Sequence, residues 1–192
     1  MARPRKFDPD TALDAVMRAF WQYGYHGASF DHLVKETGAS RHGLYQAFGD
    51  KDRLLLSSLQ RYEQTVLGDL VKLLNDNTAA LPELKQFFER IAHIARHDTD
   101  GTGCLICNTQ LEFPETGPVR THIVKFFRRL QQLFQQCLER AQIMGQLSQN
   151  KDVTELSHYL IGLVHAISAN AQSNPSDAAY QAYVKIALKA FE

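Results

Sequence analysis

Apolar residues recur at intervals of three and four along almost the whole chain, a spacing that predicts helices and no strand. Leu13, Val16 and Phe20, continued by Trp21 and Tyr23, mark one apolar face of a first helix that begins after Asp8-Pro9, where proline suits the first turn. Ser29 is placed to cap FDHLVKET, which ends at Gly38, and Ser40 to cap RHGLYQAF, which ends at Gly49. Each hydroxyl accepts from free N–H groups of the first turn. Asp50 then opens a longer run in which Leu54, Leu55, Leu59, Tyr62, Val66, Leu70, Leu73 and Leu74 share one stripe to about Asn75. The pattern predicts a fourth helix long enough to bridge two lobes.

Five further helices follow. Leu84, Phe87, Phe88, Ile91 and Ile94 mark a fifth after Pro82, and CLICNTQLEF a short sixth between Gly103 and Pro114. The seventh has the strongest pattern, from Val119 through Ile123, Leu130 and Phe134 to Ala141, with Arg and Gln on the opposite face. Val153 to Ala171 predicts an eighth, and Tyr180 to Phe191 a ninth. The fold class is all-α with about nine helices.

Composition narrows the function. With 44% hydrophobic residues in 192, the chain can bury a core of one domain or two small ones. Its 21 basic and 21 acidic residues cancel, so attraction to a polyanion must be local. One local source is the arm Arg3, Arg5 and Lys6, which can follow a DNA backbone or enter a minor groove. No apolar run approaches the roughly 20 residues of a spanning helix, and no apolar core follows the basic N-terminus. A cytoplasmic, soluble protein with reduced thiols is expected, since three cysteines form no disulfide framework.

The two short helices around Thr37-Gly38-Ala39, with Leu44 pointing inward, have the spacing of a helix-turn-helix, whose second helix reads bases in the major groove. Arg41 and His42 stand where reading side chains belong. Arginine can bond both acceptors of guanine at once. Ser29, Ser40, Tyr45 and Lys51 suit phosphate oxygens, and Gln46 lies on the same candidate surface.

Residues 12 to 59, ALDAVMRAFWQYGYHGASFDHLVKETGASRHGLYQAFGDKDRLLLSSL, resemble the DNA-binding domain of the TetR/AcrR family of bacterial transcriptional regulators. The densest parts are FWQYGYHGAS and GASRHGLYQAFGDKDRLL. Val34 departs from the small residue that helix-turn-helix units usually hold there, which implies a slight adjustment of packing. The resemblance implies a homodimer on a palindromic DNA operator, with residues 1–49 binding DNA and residues 50–192 forming an effector-binding and dimerisation domain. It also implies a phosphate contact for Tyr25, and release from the operator by a small-molecule effector. It implies no cofactor.

The C-terminal part offers competing sites. Tyr62, Phe87, Phe88, Phe113, Phe126, Phe127, Phe134 and His158 are candidates to line an apolar ligand pocket. His93 and His97 with Cys104 and Cys107 have spacings compatible with zinc, weighed against ordinary core cysteines, and no metal is assigned. Cys104, at a helix N-terminus with Cys107 one turn on, is a candidate redox sensor, which makes a thiol-based repressor the alternative function. Gly162, Leu163, Ala166 and Ala169 on the eighth helix, with Tyr180, Val184 and Leu188 on the ninth, predict a dimer interface. Two further alternatives are a helical enzyme using His158 and His165 and a protein-binding adaptor. Neither histidine has a nucleophile, paired carboxylates or a phosphate-binding loop beside it.

Overall fold

The computed structural model of the chain describes residues 7–97, 100–113, 116–171, 173, 176–189 and 191. Among them there are ten helices and no strand: α1 (Pro9–Gly27), α2 (Phe30–Thr37), α3 (Arg41–Phe48), α4 (Lys51–Thr65), α5 (Gly68–Leu74), α6 (Leu81–Arg96), α7 (Leu105–Glu112), α8 (Pro118–Ile143), α9 (Val153–Ala171) and α10 (Asp177–Lys189). None is long and apolar enough to cross a membrane.

The tenth helix arises where one was expected. The stripe from Leu54 to Leu74 is broken at Val66 and Leu67, and Gly68 begins α5. Its apolar phase continues through the break, so periodicity reads one helix. Two cores divide it: residues 1–66 and 104–123 form one compact unit, and 67–103 and 124–192 the other. These packing units cut the chain after residues 66, 103 and 123 and not between residues 49 and 50.

In the first unit α1 packs on α2, α4 and α7. Ala12, Val16, Phe20, Leu33, Leu44, Leu54, Leu55 and Leu59 are buried, which removes each amphipathic face from water. Trp21 sets its indole edge-on against the buried Tyr62 at 4.9 Å. Tyr23, expected on the apolar face, is instead 48% exposed and sits edge-on to His32. It lies at the outer edge of the α1 stripe, where the arc has turned toward solvent. Val34 is half-buried beside the fully buried Leu33, so the extra methyls lie at the margin of the core.

In the second unit α6 packs on α5, α9 and α10. Phe87, Phe88 and Phe134 form a closed aromatic cluster with centroids 5.2 to 5.6 Å apart, surrounded by Leu84, Leu130, Leu138, Leu160 and Ile167. Ile94, expected inside, is 44% exposed near the end of α6. The Arg140 guanidinium bonds the Ala79 carbonyl, which ties α8 to the α5–α6 connection.

Candidate nucleic-acid interface

Local chemistry fixes the ends of the two short helices. Ser29 Oγ accepts from the His32 N–H at 3.1 Å, and Ser40 Oγ from the Gly43 N–H at 3.0 Å. Each hydroxyl proton remains available to an outside acceptor. Gly38, at φ 63°, closes α2 in a left-handed conformation that a side chain would disfavour. Thr37 Oγ1 accepts from the Ala39 N–H, which fixes the turn. Leu33 and Leu44 are both fully buried, and the opposite face of α3 is left in water.

That face carries Arg41, His42, Tyr45 and Gln46, all exposed. Arg41 is held in place: a guanidinium nitrogen stands 2.6 Å from Asp31 Oδ1, and the group lies 5.0 Å over the Phe30 ring. Hydrogen bonding and charge from Asp31 raise its pKa further. Tyr45 also stacks on Phe30, its ring 4.4 Å away and nearly parallel. The surface is therefore pre-ordered, which lowers the side-chain entropy a partner must freeze.

At the start of α4, Lys51 Nζ lies 4.2 Å over the Tyr25 ring. Partial burial lowers the Lys51 pKa. The Tyr25 hydroxyl donates to Asp52 at 2.5 Å, and burial together with that carboxylate pushes its pKa up to about 12. The phenol expected on a phosphate is thus engaged by Asp52. A phosphate there would exchange one anionic acceptor for another. Arg3, Arg5 and Lys6 lie outside the described residues.

One residue that the sequence reading passed over organises this corner. Glu112, at the end of α7, accepts from the Tyr25 N–H at 2.9 Å and the His26 N–H at 3.0 Å. The α1 helix is interrupted just before, at Gly24 with φ 69°. A Cβ on Gly24 would lie 2.8 Å from Glu112 Oε1, so the sharp turn and the carboxylate require a glycine. The interruption frees two N–H groups that the helix would have used, and Glu112 satisfies both. The only signal in the sequence is the pair of glycines in YGYHG. The carboxylate is remote in sequence, and no local rule finds it.

The other candidate sites are redistributed. Tyr62 and Phe113 pack within the first unit, Phe113 edge-on to Tyr25 at 4.8 Å. Phe87, Phe88 and Phe134 fill the core of the second, so they are structural there. Phe126 and Phe127 are half-buried, and Phe127 lies 4.6 Å from the His165 ring, whose pKa burial lowers. His158 is exposed, with a ring nitrogen 3.2 Å from the Gln131 amide. None of these lines the cavity of about 840 Å³ found in the second unit.

His93 and His97 stack on each other at 4.1 Å, and His97 Nδ1 donates to the His93 carbonyl at 2.8 Å. Among the described residues no three His, Cys, Asp or Glu side chains group as metal ligands. Cys104 is the N-cap residue of α7 and Cys107 is buried one turn on. Hydrogen bonds from Cys107 and from Tyr62 lower the Cys104 thiol below its ordinary value.

Burial divides the residues of the expected dimer strip. Leu163, Tyr180 and Val184 are buried inside their own unit, because α10 packs on α6 and α9 and turns these residues inward. Gly162 and Ala169 are exposed and Ala166 half-buried, with open space around Gly162. The Leu188 side chain lies outside the description. Tyr159 and Ile186, not singled out from the sequence, are exposed apolar residues at 43% and 62%.

Residues 12–57 match the family of bacterial regulatory proteins named tetR, and residues 80–187 match the tetracyclin repressor-like C-terminal domain. The HTH-type transcriptional repressor ComR of Escherichia coli (strain K12) is 30% identical over 177 residues, 91% of this chain and 84% of that protein. Among solved structures, a cysteine mutant of the TetR family regulator CifR, complexed with 26-bp operator DNA, superposes with a TM-score of 0.86. It is 27% identical, over 99% of this chain and 100% of that one. A second CifR cysteine mutant on the same length of operator gives 0.87 at 26% identity, with both chains fully covered. Capped helices around a glycine turn, an exposed polar face on the second of them and both matched domains lead to one assignment: the chain belongs to the TetR family of DNA-binding transcriptional regulators.

Proposed function

We propose that the protein is a cytoplasmic, homodimeric repressor that leaves a palindromic operator when a small-molecule effector binds its C-terminal domain. Residues 1–49 read DNA and residues 50–192 bind the effector and the second copy. The observation that carries this reading is the pre-ordered face of α3. There Arg41 and His42 meet base edges, Tyr45 and Gln46 stand beside them, and Ser29, Ser40, Tyr25 and Lys51 take phosphate. The repressor ComR and the operator-bound regulator CifR support it by similarity. The second copy docks on the small-residue face of α9, at Gly162, Ala166 and Ala169, with Tyr159 and Ile186 as apolar neighbours.

Selection of bound duplexes from a random pool tests the reading. A palindromic consensus is expected, bound more tightly than a scrambled duplex at the same salt. Equal binding of both duplexes would leave only non-specific attraction.

A second reading rests on Cys104, whose lowered thiol has Cys107 one turn away. Peroxide oxidises Cys104 to a sulfenic acid with loss of water. The Cys107 thiol then displaces a second water to form a disulfide. Mild peroxide is expected to weaken operator binding reversibly, and Cys104→Ser to abolish the response. Native-state alkylation of Cys104 far slower than that of a free thiol would exclude this reading.

A further inference from the structure

In the second unit, α6 and α10 lie side by side and enclose the cavity of about 840 Å³. Its lining divides by helical phase into two zones. Leu81, Ala92, Tyr180, Val184 and Phe191, each less than a tenth exposed, form an apolar floor. Around them Lys85 and Arg96 rise from α6, and Lys185 and Lys189 from α10. Residues four apart on a helix stand one above the other, so Lys185 and Lys189 make one edge. Lys85 leads to Glu89 and His93 along the other.

Charge is concentrated here. Among the described lining residues the cations Lys85, Arg96, Lys185 and Lys189 stand against one carboxylate, Glu89, in a chain whose basic and acidic residues are equal in number. Among the described residues, no carboxylate comes within ion-pair distance of Lys85, Lys185 or Lys189. Like charges gathered around a concave surface with an apolar floor raise the local potential, because the floor cannot screen them. The volume falls inside the range of about 300 to 1,000 Å³ typical of small-molecule sites, and far exceeds that of an inorganic ion. The opening face is also distinct from the aromatic cluster of Phe87, Phe88 and Phe134, which is closed.

We propose that the groove between α6 and α10 binds an amphipathic organic anion. Its hydrocarbon body lies on the Tyr180, Val184 and Phe191 floor, and its carboxylate or phosphate head is held by Lys85, Lys185 and Lys189. The floor rewards apolar area and the rim rewards charge, so neither an alcohol of the same length nor a bare anion satisfies both. This binding does not depend on the operator reading, because it belongs to the protein alone.

The test is calorimetric titration of the full chain, without DNA, with decanoate, decyl phosphate and neutral decanamide, each below its micellar concentration. Both anions should bind, decanamide about tenfold or more weaker, and the anion affinity should fall with salt. The double variant Lys85→Gln, Lys185→Gln should lose about tenfold for the anions and little for decanamide. Because these lysines are exposed the fold should survive, and Lys72→Gln, an exposed lysine on α5, controls for a general loss of positive charge. Equal affinity for decanamide and decanoate would overturn the proposal, as would anion binding unchanged in the double variant. A double variant that changes the sedimentation of the chain while no anion binds would show the groove to be an interface between copies, which also overturns it.

Discussion

The two compact units are built on different principles. The first is held by specific polar closures on a modest core: serine caps, the Asp50 cap of α4, the Asp14–Arg61 pair and the Glu112 carboxylate over Tyr25 and His26. The second is held by a continuous aromatic and aliphatic core. Directional bonds fix where a side chain points, which a reading head requires. Apolar packing tolerates rearrangement of shape and volume, which suits a domain that accommodates a ligand.

The largest effect should come from the core of the second unit. Phe134→Ala removes the ring shared by Phe87 and Phe88, and should cost about 3 to 5 kcal/mol in urea unfolding. If the units are as different as their interiors imply, the same variant under folding conditions should keep its operator sequence preference. A changed preference would show that the reading head depends on that core.

Next in size is Glu112. Glu112→Ala strands the Tyr25 and His26 N–H groups, each in a charge-assisted bond, and should cost about 2 to 3 kcal/mol. Glu112→Gln, which keeps one acceptor oxygen, should recover part of this. Because Tyr25 carries the Lys51 contact, operator affinity should drop with stability in Glu112→Ala. Intact affinity in a destabilised variant would reduce Glu112 to a purely structural role.

A smaller effect separates reading from anchoring within the first unit. Arg41→Ala should lower affinity about tenfold to a hundredfold and relax specificity at one base pair per half-site. Lys51→Ala should weaken all duplexes alike and reduce the salt slope. Asp31→Asn releases the Arg41 guanidinium and should broaden the preferred sequence without altering the salt slope. Identical profiles from the Arg41 and Lys51 variants would contradict the assigned roles.

The smallest effect is pH-dependent. The hydrogen bond and charge of Arg61 lower the Asp14 pKa from its ordinary value. A carboxyl depressed on folding contributes stability above its unfolded pKa of about 3.9, and loses it as pH falls through the lower folded value. The stability gap between wild type and Asp14→Asn should therefore be present at neutral pH and close in strong acid. A gap that persists there would place its origin in packing.

The sequence was most legible where structure is local. Ser29, Ser40 and Asp50 cap helices within three residues of themselves, and Gly38 and Gly49 end them, so the helix-turn-helix and its exposed Arg41, His42, Tyr45 and Gln46 follow from short-range chemistry. The periodicities of α8 and α9 likewise placed those helices. What the sequence left open concerns partners far along the chain. The stripe from Leu54 to Leu74 looks unbroken, because periodicity records which face is apolar and says nothing of which core receives it. Tertiary packing divided it at Val66. The same limit applies to Leu163, Tyr180 and Val184, which are apolar enough for an interface or a core, and only the packing of α10 on α6 and α9 placed them inside. Glu112 is the clearest case, since 87 residues separate it from the Tyr25 N–H that it satisfies. The groove between α6 and α10 is another: each helix by itself shows an ordinary solvated face with two cations, and only their juxtaposition turns two such faces into one concentrated charge.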